Sequence, residues 1–298
     1  MQKIYCSAEL KLPSRRVSVG VVLVCLAGSA QFGYQDAISM IAWNGNADAF
    51  TEDVVKQSHF DDHSSINIHL LMFYVGSAIG FLCFAFSARL LQIHCGLLIG
   101  LTMIVFSSSL FIPFSCMAAF GISSFLRLFA GISIGFFIGY QTIFINEISL
   151  DAYRGSLLIF SGISVSLGAV VGVTVAHLGV LKCANCLYFA LSIPALTSIL
   201  IFIYMMRLKE PPIILLMCGL DEKAEQSAQY YHGDENTGKA LCEASARLRA
   251  QKHSAMRCFA PVWLRAIAVT MSVNISAALC QQSPIIRTLL PIQFHQVA

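Results

Sequence analysis

Long apolar stretches alternate with short polar breaks from Val17 to Met206. A helix rises 1.5 Å per residue, so about 20 apolar residues cross a hydrocarbon layer about 30 Å thick. Six stretches meet that length: Val17 to about Ala42, Ile66 to Ala88, Cys95 to Phe114, Ser123 to Asn146, Gly155 to Gly179 and Leu187 to Met206. The pattern predicts an all-α membrane protein with a six-helix bundle over residues 17–206, behind a polar segment at 1–16. A polar loop at 43–65 separates the first two helices, whereas helices four and five are joined by a very short charged turn between Asn146 and Gly155. Beyond Met206 the pattern changes. Residues 207–258 are polar and read as two or three short amphipathic helices, opened by Pro211 and Pro212 and interrupted at Gly233 and Gly238. A seventh apolar run follows at 261–280, and a tail at 281–298 carries Pro284 and Pro291.

Composition agrees with lipid as the main solvent, since 57% of residues are hydrophobic and 12% charged. Gly28-Ser29-Ala30 resembles a signal-peptide cleavage site, but the apolar character continues past it, which favours a retained span. Lys3, Lys11, Arg15, Arg16, Arg89, Arg154, Arg207 and Lys209 fall on one side of the expected topology, against Lys56 and Lys182 on the other. The positive-inside bias then places the N-terminus and residues 207–258 in the cytoplasm, with the acidic 43–65 loop outside. No basic stripe interleaved with aromatics points to nucleic acid. Eleven cysteines, several inside apolar runs, imply no disulfide framework, and Cys183-Ala-Asn-Cys186 lacks the second pair a zinc site needs. No catalytic set is visible, so the expectation is no enzyme, no metal and no cofactor.

Polar groups inside the spans are the candidates for function. Asp36 and Arg127 lie at nearly the same expected depth, near the outer ends of helices one and four, where they can pair. Gln31, Tyr34 and Gln35 add hydrogen-bonding groups on helix one, Gln31 sharing a face with the other two. Two readings stay open here, a gate on a substrate path and a static polar contact. At the other membrane face the topology gathers Arg89, Glu147, Arg154 and Glu210. A salt-bridge gate accounts for all four, and positive-inside anchoring for the arginines alone. Glycines one turn apart, Gly76/Gly80, Gly131/Gly135, Gly135/Gly139 and Gly168/Gly172, predict close helix contacts.

Several segments resemble the sugar porters of the major facilitator superfamily, the facilitative glucose transporter-like group, over their N-terminal half. Helix one reads Gly28-Ser-Ala-Gln-Phe-Gly-Tyr34, close to that family's G-S-x-Q-F-G-Y. Glu147-Ile-Ser149 with Arg154-Gly155 is similar to its G-E-x-S-P…R-G, and Lys209-Glu210-Pro-Pro212 to its P-E-S-P. The resemblance implies a six-helix half-bundle, a cytoplasmic helical segment and the start of a second bundle, working by alternating access on a hexose or polyol. It implies gate roles for Arg89, Glu147, Arg154 and Glu210, and places Arg127 against helix one. In proton-coupled members an acid on helix one faces that arginine; here Gln35 holds the position and Asp36 comes one later. Departures include Leu91-Gln92-Ile93 after helix two, Ile213 for an arginine, and Gly162 where helix five offers a glutamine. The first functional expectation is facilitative transport by an incomplete chain in the plasma membrane, with self-association or pairing with another porter. The second is a non-transporting regulator, sensor or partner of a full-length porter. A seven-helix receptor fits the helix count and conflicts with the charge bias.

Overall fold

The computed structural model of the chain describes residues 13–45, 62–88, 90–114, 120–175 and 184–254. Every regular element among them is a helix, as expected where backbone polar groups must be satisfied without water. In chain order these are α1 (Arg15–Ala27), α2 (Ser29–Gly45), α3 (Asp62–Ser87), α4 (Ile93–Ser109), α5 (Phe111–Phe114) and α6 (Phe120–Ile148). They continue with α7 (Arg154–Val175), α8 (Ala184–Met205), α9 (Pro212–Met217), α10 (Asp221–His232) and α11 (Asp234–Ser254). Four helical stretches are long and apolar enough to cross a membrane: Arg15–Ile38, Ile93–Pro113, Ser124–Ile148 and Arg154–Val175. Leu71–Ser87 and Phe189–Met205 form shorter apolar stretches within α3 and α8. The chain divides into two units, Met1–Ala246 and Arg247–Ala298; of the second, residues 247–254 are described and are helical.

The six apolar runs are helical over their described residues, with three differences from the expected pattern. Helix one is interrupted: α1 and α2 meet at Gly28, whose φ of −113° and ψ of −78° depart from ideal helical values, although its N–H still donates to the Val24 carbonyl at 3.1 Å. Helix three ends its regular run at Ser109 and adds one short turn, α5. Gly238 does not interrupt the polar segment, because α11 runs through it; the break is at Gly233, where φ is +76°. The loop residues 46–61, the apolar run at 261–280 and the tail at 281–298 lie outside the described residues.

Two glycine-rich contacts set the spacing of the bundle. α3 packs most extensively against α6, where a Cβ at Gly76 or Gly80 would overlap the carbonyl oxygen of Leu128 or Ile132. The relation is reciprocal, since one at Gly131 or Gly135 would overlap the carbonyl of Phe73 or Ser77. α2 meets α7 in the same way through Gly33 and Gly168. Close backbone approach is what small residues contribute in lipid, where apolar burial gives no drive between helices. The interior is filled by Phe73, Leu97, Leu101, Phe137, Tyr140 and Phe144. Large apolar side chains such as Phe86, Phe125, Ile159 and Leu200 face outward, the surface a bilayer would cover.

The polar segment is tied to the turn between α6 and α7. Leu150 in that turn packs with Ala228 of α10 and Ala240 of α11, and the backbone N–H of Asp151 donates to Glu243 Oε2 at 3.0 Å. Tyr231 of α10 is buried, its hydroxyl donating to the Lys209 carbonyl at 2.5 Å.

Candidate functional site

Helix one carries two buried polar sites, both on α2: one at its start, next to Gly28, and one about two turns further along. Arg127, 1% exposed on α6, donates from Nη1 to Gln35 Oε1 of α2 at 3.3 Å. Its guanidinium carbon lies 5.6 Å from the Phe73 ring centre and 6.0 Å from that of Phe111, within cation–π range. Asp36 accepts a hydrogen bond from the Tyr74 hydroxyl of α3 and lies within electrostatic reach of Arg127. Neighbouring helical residues point about 100° apart, so Gln35 and Asp36 acquire different partners. Arg127 thus donates to Gln35, while the acid next to it accepts from Tyr74 of α3 and stays within electrostatic reach of the arginine. Gln31 and Tyr34 lie on the side that meets α8: Gln31 Nε2 donates to Thr197 Oγ1 at 3.1 Å and Ser198 Oγ at 2.8 Å, and Tyr34 to the Ala190 carbonyl at 2.9 Å. Gln31 Oε1 is buried and has no hydrogen-bond partner among the described residues.

The second site was not among the residues singled out from the sequence. Gln141 of α6 is fully buried and accepts at Oε1 from the backbone N–H of Ser29, at 3.2 Å. Its Nε2 donates to Ser29 Oγ at 2.6 Å and to Ser161 Oγ of α7 at 3.0 Å, and those two hydroxyl oxygens lie 2.7 Å apart. The side chain thereby supplies the acceptor for an N–H at the start of α2, one of the groups a helix leaves open at its N-terminus. Gly28 makes room for it: a Cβ there would overlap Gln141 Oε1 and come within 2.6 Å of Phe137 Cδ1. A lone uncharged amide inside an apolar run was the available signal. Intramembrane charges drew the attention instead.

At the opposite end of the bundle, Arg154 pairs with Asp151 within the α6–α7 turn and donates to the Ser149 carbonyl at 3.4 Å. Glu147 lies within electrostatic reach of Arg154, and its Oε2 is buried without a hydrogen-bond partner among the described residues. Glu210 stands with His94 rather than with the arginine. Burial pushes its carboxyl up from the usual range, and the charge and backbone hydrogen bond of His94 pull it partly back. Of the four expected gate residues, Glu147, Arg154 and Glu210 are described and fall into two local groups; Arg89 lies outside the described residues. Among the described residues no group of His, Cys, Asp or Glu could hold a metal ion.

Comparison with known proteins places this arrangement. No match is found among curated proteins. In fold, the chain is similar to the xylose transporter XylE from E. coli in a partially occluded inward-open conformation, with a TM-score of 0.67 and 16% identity over 80% of this chain and 61% of that one. It is similar also to the XylE proton:xylose symporter bound to 6-bromo-6-deoxy-D-glucose, with a TM-score of 0.68 and 16% identity over 83% of this chain and 56% of that one. At that identity the likeness establishes the fold, and the chain spans about 61% of the length of the first of these transporters. The family model described as sugar (and other) transporter matches residues 21–284. This multi-pass, all-helical membrane protein therefore belongs to the family of sugar and other transporters.

Proposed function

We propose that the chain forms the N-terminal half-bundle of a facilitative transporter of hexoses or related polyols, moving substrate by alternating access. The observation that carries this reading is the family match, which runs through both buried polar sites and on past the polar segment. Gln35, an acceptor for Arg127 that takes up no proton, supports the facilitative reading, and Asp36 beside it is engaged by the Tyr74 hydroxyl. The same reading puts the N-terminus and residues 207–258 in the cytoplasm of a plasma-membrane protein, by the placement of Lys and Arg. Glu147, Arg154 and Glu210 then lie at the inner mouth, where exchange of partners between two conformations acts as the gate.

Uptake of radiolabelled hexose into proteoliposomes containing the purified chain tests this. The expected result is saturable uptake that changes little between neutral and mildly acidic pH. Arg127→Ala should lower it by at least about tenfold, the equivalent of about 1.4 kcal/mol in the barrier. Absence of saturable uptake by a folded chain would assign it instead to a regulator or partner of a full-length porter.

A further inference from the structure

Where α1 begins, a cavity of about 540 Å³ opens between its first turn, the segment leading into α9, and α10. Its lining includes Arg15, Arg16, Lys209, Tyr230 and Asp234. Local contacts hold the walls in place. Ser14 Oγ donates to the Tyr231 carbonyl, and Arg16 Nη1 to the Tyr230 carbonyl at 3.2 Å. The Tyr230 ring is shared by two cations: the Arg16 guanidinium carbon is 4.8 Å from its centre and the Lys209 Nζ 5.6 Å.

The charge around this cavity is not neutralised. Among the described residues none of Arg15, Arg16 and Lys209 makes an ion pair. The acid of the lining, Asp234, takes a hydrogen bond from Gln229 Nε2. His232 adds no charge near neutrality, because burial holds its imidazole down at about 4. Three cations therefore face one carboxylate around a single cavity, and an anion placed among them would remove their mutual repulsion. α1 leads from Arg15 straight into a membrane-length apolar stretch, so the cavity sits where that helix meets the headgroup layer.

We propose that this cavity binds a phosphate-bearing anion, supplied either as the headgroup of an acidic phospholipid or as a soluble polyphosphate of similar size. Guanidinium groups match phosphate oxygens through paired N–H donors, and a lysine beside them adds a point charge. The proposal is independent of whether the chain moves sugar.

The test uses the full chain in detergent, with phosphatidylinositol bisphosphate and soluble inositol trisphosphate as probes and native mass spectrometry as the readout. One variant carries Arg15→Gln, Arg16→Gln and Lys209→Gln. A control loses the same charge away from the cavity, through Arg207→Gln, Lys223→Gln and Lys239→Gln. Wild type and control should retain the lipid, and the cavity variant should retain it at least about tenfold less well. Competition by the soluble probe identifies the phosphate cluster as the recognised group; retention of the lipid alone assigns the site to a membrane headgroup. Equal loss in cavity variant and control would reduce the effect to bulk charge and overturn the proposal. So would binding of neither probe by the wild type.

Discussion

The two buried amides that meet helix one do opposite things with the same functional group. Gln35 offers one oxygen to a permanent cation through a 3.3 Å hydrogen bond, and the Arg127 guanidinium also lies against two aromatic rings and within electrostatic reach of Asp36. Gln141 uses its carbonyl and both amide hydrogens in contacts of 2.6–3.2 Å with Ser29 and Ser161. A neutral amide can be satisfied by hydroxyls carried on neighbouring helices, so its site is closed and static. A guanidinium has five donors, and the cost of burying it changes with every shift of its surroundings. The guanidinium site suits a part that moves. The amide site suits a joint, which is where the chain places it: at the break in helix one.

The largest stability effect should come from Gln141→Leu. It leaves the Ser29 N–H buried without its acceptor, and an unsatisfied buried donor costs about 1–3 kcal/mol. A loss of about 2 kcal/mol is expected in chemical unfolding of the purified protein in detergent, read by the loss of helical circular dichroism. Gly28→Ala should cost nearly as much, because its methyl enters the space of Gln141 Oε1. Combined with Gln141→Ala the two should cost less than their sum, since they act on one contact. Strict additivity would mean that Gly28 and Gln141 are not a matched pair. Gln35→Leu should be milder in stability, about 1 kcal/mol, because the hydrogen bond it takes from Arg127 is long and the rings beside the guanidinium stay. Its effect on uptake should exceed its effect on stability, which is the reverse of Gln141→Leu. If both variants lose stability and uptake in the same ratio, the division into moving part and joint fails.

Period and length made the spans readable, because lipid admits few alternatives to a helix over a long apolar run. Arg127 was readable for the same reason, as a charge where charges are costly. The break at Gly28 was not, because glycine, serine and alanine in an apolar run are equally compatible with an unbroken helix. What takes over the Ser29 N–H there is a side chain 112 residues away. The one-position offset between Gln35 and Asp36 could be seen in the motif, but the structure was needed to give each its partner. Gly238 misled for a related reason: glycine lowers helix propensity by about 1 kcal/mol, which the rest of α11 overrides. At the charged end, a shared membrane face brought Glu147 near Arg154, whereas Glu210 found His94, a residue on α4 that charge counting passes over.

Ser161→Ala should give the smallest effect and the finest test of the closed site. Ser161 is partly exposed on α7, and its partners Gln141 and Ser29 still bond to each other when its hydroxyl is removed. Gln141 would keep both of its contacts to Ser29, and the Ser29 hydroxyl would keep the amide as its donor. The expected loss is about 0.5 kcal/mol, near the average for a polar contact between helices in lipid. The same unfolding measurement reads it. A loss as large as that of Gln141→Leu would mean that α7, rather than the Ser29 backbone, is what the amide holds. The joint would then lie between α6 and α7, rather than at the start of α2.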